Sequence, residues 1–212
     1  MKARLPRGLW AVASDLSARD ADAWMQSAAG AAAWTFRRPT GGDAAALQCL
    51  RRLRSHAAWL AVHGRSDLAV LAQADGLIAG VQSLPWECLA GRLHEHRNKP
   101  DAASHNLQLG AAVHDQQEIE AARRALADFL VLGPIWETPS KRGILEPKGC
   151  GALQTLAAQG VPVLAIGGFD RPERVLQAHA AGAHAVLVLR AAQDAQRFQE
   201  LVSSWREAEA QV

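Results

Sequence analysis

Eight short apolar runs, spaced evenly along the chain, constrain its fold more than any other feature. They are LWAVASD (9–15), AWTFRRP (33–39), AWLAVHG (58–64), DGLIAG (75–80), LQLGAAVH (107–114), DFLVLGPIW (128–136), VPVLAIGG (161–168) and HAVLVLR (184–190). Each has a largely continuous apolar stretch, and most close on glycine or a polar residue. A strand with one wet face alternates apolar and polar residues. Runs apolar throughout need cover on both faces, which is the condition of parallel strands layered by helices.

The intervening segments carry helical patterns. RDADAWMQSAAGAA follows the first run and GDAAALQCLRRLRS the second, where Asp43 can cap the helix start and Leu47, Leu50 and Leu53 share a face. Asp115 followed by Glu118 is a capping-box-like pair. In DRPERVLQAHAAGA, Asp170 opens the helix and Pro172 sits in its first turn, where a missing N–H costs nothing. The chain closes on a terminal amphipathic helix, AAQDAQRFQELVSSWREAEAQ, and the polar stretch 92–106 is expected to be a helix end and loop. Eight strand–helix units in 212 residues, without a long linker, predict an α/β fold: a single (β/α)8 TIM barrel over 1–212. A doubly wound open sheet is the alternative.

Composition narrows the function classes. The 49% apolar content supports a large core, and 23 basic against 21 acidic residues leave a net charge of +2. The basic residues are scattered, so no nucleic-acid partner is expected. The run Arg51-Arg52-Arg54 is expected to be a solvated helix face, and the seven tryptophans to be mostly core. No stretch approaches the roughly 18 apolar residues of a membrane span. The N-terminal run, broken by Ser14 and Asp15, is not that of a signal peptide. Cys49, Cys88 and Cys150 lie far apart with no metal spacing, as expected for reduced thiols of a cytoplasmic protein.

In such a barrel the functional residues follow the strands. In order they are Asp15, Arg37-Arg38, His63-Gly64-Arg65, Gly80-Val81-Gln82, His114, Gly133 to Lys141, Gly167-Gly168-Phe169 and Leu189-Arg190. Glycine lets a backbone approach a ligand, and exposed amides at a helix start donate to anionic oxygens. Gly167 and Gly168, then Leu189 and Arg190, are therefore candidate phosphate donors after strands seven and eight. Thr138, Ser140 and Lys141 would add two hydroxyls and a cation from the neighbouring loop.

At these residues the chain resembles the thiamine phosphate synthase / TenI family, from LWAVASD to LVLRA and most strongly over 109–190. The resemblance implies a (β/α)8 barrel and a ligand set of thiazole phosphate with, in the synthase, an aminopyrimidine diphosphate (hydroxymethylpyrimidine diphosphate). The synthase joins the two and releases pyrophosphate, with Mg2+ held by aspartates. Thr138, Ser140 and Lys141 match the family's Thr-x-Thr-Lys pattern, and Gly167-Gly168 its phosphate pair. Arg37 matches the strand-two arginine, and Trp136 stands where the family has an aromatic near the ligand.

Other positions depart. The strand-two lysine position holds Pro39, and the two metal-aspartate positions hold Gly64 and Ser83. The strand-five serine is Ala112, and the strand-eight serine is Arg190. Arg65, Arg190 and Lys141 are the cations left to face a phosphate. No cofactor and no metal site is therefore expected. HGRSDLA is similar to a stretch of the TenI branch, the thiazole tautomerases, which also lacks the metal pair. That branch's catalytic histidine position holds Pro134, which leaves His63 and His114 as candidate proton carriers, beside Lys141 as a further candidate catalytic group.

Three functions stay open: a metal-free enzyme acting on a thiazole phosphate, a divergent synthase, and an inactive barrel that binds thiazole or thiamine phosphate. In each the expected partner is a small phosphorylated azole, with neither nucleic acid nor membrane; a homo-oligomer is left open.

Overall fold

The computed structural model describes residues 4–37, 41–97 and 107–211. Arg38, Pro39 and most of the predicted loop, 98–106, lie outside the described residues. The strands are β1 (Gly8–Ser14), β2 (Ala33–Arg37), β3 (Leu60–His63), β4 (Gly76–Ala79), β5 (Gln108–Val113), β6 (Phe129–Leu132), β7 (Val163–Ile166) and β8 (Ala185–Val188). They pair in sequence order and close, β8 lying parallel to β1 with Gly8 opposite Ala185. That last ladder rules out the open sheet: the chain is a (β/α)8 TIM barrel.

The helices alternate with the strands: α1 (Ala21–Ser27), α2 (Gly42–Arg54), α3 (Ser66–Leu71), α4 (Trp86–Arg97), α5 (Gln116–Arg124), α6 (Gly149–Ala157), α7 (Pro172–Ala180) and α8 (Ala195–Ala210). A 3-10 turn, Ala191–Gln193, precedes α8. No described helix is long and apolar enough to cross a membrane.

Alternation along the strands sorts the apolar residues into two clusters. Trp10, Val12, Ala61, Ile78, Phe129, Val131, Leu164 and Leu187 fill the barrel. Their neighbours, among them Leu9, Ala11, Leu60, Val62, Leu130 and Val186, pack beneath the helices. Three aromatics dominate the interior: Trp10 and Trp59 have ring centroids 4.6 Å apart, and Phe129 stands edge-on to both at 6.0 and 6.2 Å. Such rings fit only because two adjacent strands, β4 and β5, carry glycine. A Cβ on Gly76 would lie 2.4 Å from Trp59 Cη2, and one on Gly110 only 2.2 Å from Phe129 Cε2.

The helix ends follow the sequence with three exceptions, one being that Arg171, not Asp170, holds the cap position of α7. Asp115 caps α5 by accepting from Glu118 N–H at 2.9 Å, and Pro172 opens α7. Asp43 does not cap α2; the cap is Gly41, in the left-handed conformation, and Asp43 sits in the first turn facing another partner. Arg54 leaves the expected solvated face: it pairs with Asp75, whose carboxylate also accepts from Leu60 N–H at 2.8 Å. This ties the end of α2 to the start of β3. Cys49, Cys88 and Cys150 are all free thiols.

Candidate functional site

The loops after β6 and β7 form one unit. After the cis Gly133–Pro134 bond, Ile135 N–H donates to Ile166 O at 2.9 Å and Trp136 N–H to Gly167 O at 3.2 Å. The close approach demands glycine. A Cβ on Gly133 would meet Ile166 O at 2.7 Å, and one on Gly167 would meet Pro134 Cα at 2.9 Å. Gly167 and Gly168 have φ of +102° and +85°, which other residues adopt at a cost. Among the described residues, no acceptor takes the amides of Gly167, Gly168, Leu189 or Arg190. Gly167, Gly168 and Leu189 are half-buried, where an amide without a partner is costly, and Arg190 is exposed; donors left open at adjacent strand ends suit an anion.

The β6 loop continues into a tight turn at 138–142. Thr138 is buried, and its hydroxyl lies 3.3 Å from that of Ser140. Thr138 O accepts from both Lys141 N–H and Arg142 N–H at 3.0 Å, which closes the turn. Glu137, beside these hydroxyls, pairs with Arg142 at 2.6 Å. Neither Lys141 nor Arg190 makes an ion pair among the described residues. Thr138, Ser140, Lys141, Gly167, Gly168, Leu189 and Arg190 thus lie in the segments that leave three consecutive strands, β6, β7 and β8.

The β2–β5 side is built differently. Gly64 and Ser83 face each other: a Cβ on Gly64 would stand 3.7 Å from Ser83 Oγ. Ser83 Oγ already accepts from Gly80 N–H at 3.2 Å. A Cβ on Gly80 would in turn touch Ala112 Cβ at 3.9 Å, so small side chains leave room here. Arg65 is not turned toward a ligand. Its guanidinium donates to Asp67 at 2.9 and 2.6 Å and to Asp43 at 2.7 Å, bridging the starts of α2 and α3. The hydrogen bond from Arg65 holds the Asp67 carboxyl down at about 2. Asp15, at the β1 exit, has φ +54° and accepts from Ser14 Oγ at 3.0 Å.

The two histidines differ sharply. His63 points into the barrel from the end of β3, its Nε2 3.1 Å from the buried Thr35 hydroxyl. Some of the ring still meets solvent at the mouth, but protein surrounds it. Burial, aided by the nearby Arg37 charge, pushes its pKa down to about 3. His114, at the end of β5, is held by Glu118, whose Oε2 accepts from His114 N–H at 2.6 Å and lies 3.0 Å from Nδ1. With Glu118 ionised, Nδ1 carries the shared proton and Nε2 is left as an acceptor.

A stability prediction follows for His63. The unfolded ring titrates at its ordinary value of 6.5, the folded ring near 3. Protonation therefore favours unfolding: the contribution is complete above 6.5 and is lost as pH falls toward 3, amounting to about 2 kcal/mol by pH 5. His63→Gln, which keeps a partner for Thr35, should lose that much less stability between pH 7 and 5 in urea titrations. Equal losses would contradict the buried neutral ring.

Sequence reasoning placed Trp136 at the ligand, whereas its ring packs edge-on to Phe169 at 5.2 Å with the Arg174 guanidinium 5.3 Å above it. It backs the glycine pair from outside the barrel wall. Two residues were missed as site components. Glu118 was visible only as a helix cap, although its i,i+4 spacing from His114 was a usable signal. Arg174, on α7, had no signal beyond its i+4 spacing from Asp170.

Comparison with known proteins bears on the family and the fold. The TMP-TENI family, described as thiamine monophosphate synthase, matches residues 19–192. The thiamine-phosphate synthase of Mycolicibacterium smegmatis is 36% identical over 140 residues, which is 65% of this chain and 56% of that protein. The bifunctional thiamine biosynthesis protein ThiM/ThiE of Symbiobacterium thermophilum is 36% identical over 148 residues, 69% of this chain and 28% of that protein. The chain thus spans little more than half, or less, of these relatives. A thiamine phosphate pyrophosphorylase from Pyrococcus furiosus superposes with a TM-score of 0.74, covering 95% of this chain and 96% of that one at 21% identity, a likeness of fold. With most of its barrel inside the matched region, the chain belongs to the TMP-TENI family.

Proposed function

We propose that this barrel binds a thiazole phosphate or closely related azole phosphate and acts on its ring by proton transfer, without a divalent metal, in the cytoplasm. The observation that carries the reading is the division of the mouth. Unpartnered amides at Gly167, Gly168, Leu189 and Arg190 stand with Thr138, Ser140 and Lys141 on one side. On the other, the two positions that carry aspartates in the synthase pattern are Gly64 and Ser83, face to face. The donor set does not fit Mg2+, which prefers carboxylate oxygens. Gly64 offers no side chain, Ser83 is engaged with Gly80, and Asp43 and Asp67 are held by Arg65.

The phosphate lies against the glycine amides, with Lys141 and Arg190 balancing its charge. The ring then extends over Gly80 and Ala112 toward β5. There His114 is the base: Glu118 orients it, with Oε2 3.0 Å from Nδ1. His63 is ill suited, because a ring that resists protonation down to about pH 3 takes up protons poorly. It orients Thr35 and shapes the floor.

The names of the relatives favour a second reading, a divergent synthase in which Lys141 and Arg190 face a leaving diphosphate. One assay separates the two. Pyrophosphate release from the two phosphorylated precursors should be negligible with or without Mg2+, while ring proton exchange in a thiazole phosphate should proceed. His114→Asn should slow that exchange by roughly 100-fold or more, the usual scale of general-base catalysis. Magnesium-dependent coupling would establish the synthase reading. Binding without exchange or coupling would mark a ligand-binding barrel.

A further inference from the structure

Resting on the anion site just proposed, we infer that Arg174 is a positioning residue that holds the Gly167-Gly168 turn in its anion-binding form. Arg174 is the third residue of α7, behind the glycine pair rather than in the mouth. Its Nη1 donates to Gly168 O at 2.7 Å and to Asp170 Oδ1 at 2.9 Å, while the guanidinium lies over the Trp136 ring at 5.3 Å. One planar cation therefore ties three parts together: the β7 turn, the start of α7 and the β6 loop. A peptide carbonyl and the following N–H point in opposite directions. Pulling Gly168 O toward α7 turns the Phe169 amide away from α7, toward the mouth, and fixes the orientation of Gly168 itself.

The surroundings leave the turn little other support. Gly168 O accepts from Asp170 N–H at 3.0 Å, and Gly167 O from Trp136 N–H at a longer 3.2 Å. Two successive glycines at positive φ have a wide range of alternative conformations. A planar, always-charged side chain suits the clamp, because it can donate in its plane and stack on Trp136 with its face.

The test uses the full chain with inorganic phosphate as the probe, in wild type, Arg174→Ala and Arg174→Lys. Calorimetry should show phosphate binding about 10-fold weaker in Arg174→Ala, the scale of one lost charge-assisted hydrogen bond. Arg174→Lys, which can still reach Gly168 O, should recover part of it. The distinguishing readout is the amide N–H resonances of Gly167, Gly168 and Phe169. Without phosphate they should shift or broaden in Arg174→Ala and return toward wild type in Arg174→Lys. Unshifted resonances overturn the clamp, as does phosphate affinity unchanged in Arg174→Ala. Weaker binding with unshifted resonances also overturns it, since only the charge would then be acting. A wild-type chain that binds no phosphate overturns the anion site instead, while the ligand-free resonances still judge the clamp.

Discussion

Gly168→Val should abolish measurable phosphate binding and destabilise the barrel by about 2–4 kcal/mol. Two effects add. At φ +85° a β-branched residue is strained whatever the space around it. The added Cβ would also lie 2.7 Å from Trp136 Cβ and 3.3 Å from Arg174 Nη1. Trp136 cannot withdraw cheaply, because it is packed on Phe169 and its own N–H is bonded to Gly167 O. The turn must therefore open, which misdirects the amides of Gly168 and Phe169. Losing two hydrogen bonds to a charged group weakens phosphate affinity by about 100-fold or more. Calorimetric titration reads the binding and urea denaturation the stability. A folded variant that binds phosphate as wild type does would remove the glycine amides from the site.

The second large effect lies at the opposite end of the barrel. Phe129→Ala should cost about 3–5 kcal/mol, since it empties ring volume between Trp10, Trp59 and Gly110. Gly110→Ala should cost about 1–3 kcal/mol, because its methyl group would enter the Phe129 ring. The double variant should be more stable than the sum predicts, by about 1–3 kcal/mol, because the alanine methyl occupies space the ring vacated. Urea midpoints and slopes for the four proteins close the cycle. Strict additivity would mean that Gly110 is not the notch for Phe129. None of these changes should alter phosphate affinity in chains that fold, because they lie at the closed end, away from the mouth.

Much of this molecule was legible beforehand, for a physical reason. Strands covered on both faces must be apolar throughout, so eight such runs announce eight buried parallel strands. The ends of those runs were harder to place. DFLVLGPIW reads as one strand to Trp136, yet β6 ends at Leu132. The remaining residues are apolar because the loop is buried against the exit of β7. The phosphate candidates were readable as residue types, since glycine pairs, hydroxyls and a lysine after a strand are local features.

Pairings across the barrel were not readable. Arg65 looked available to a ligand, but the barrel brings Asp43 to it from the start of α2, beside its near neighbour Asp67. Asp43 looked like a cap for the same reason: its partner lies 22 residues away. His63 and His114 looked alike as strand-end histidines. Their difference comes from what encloses them, Thr35 and Arg37 for one and Glu118 for the other. Sequence alone determined the strand count, the chemistry available at each strand end and that positions 64 and 83 carry no carboxylate. Tertiary structure alone decided which charges neutralise one another, which imidazole keeps a free nitrogen and which arginine stands behind the glycine turn. Hydrophobic pattern acts over a few residues and is written into the chain, whereas burial and ion pairing depend on distances that exist only once the barrel has closed.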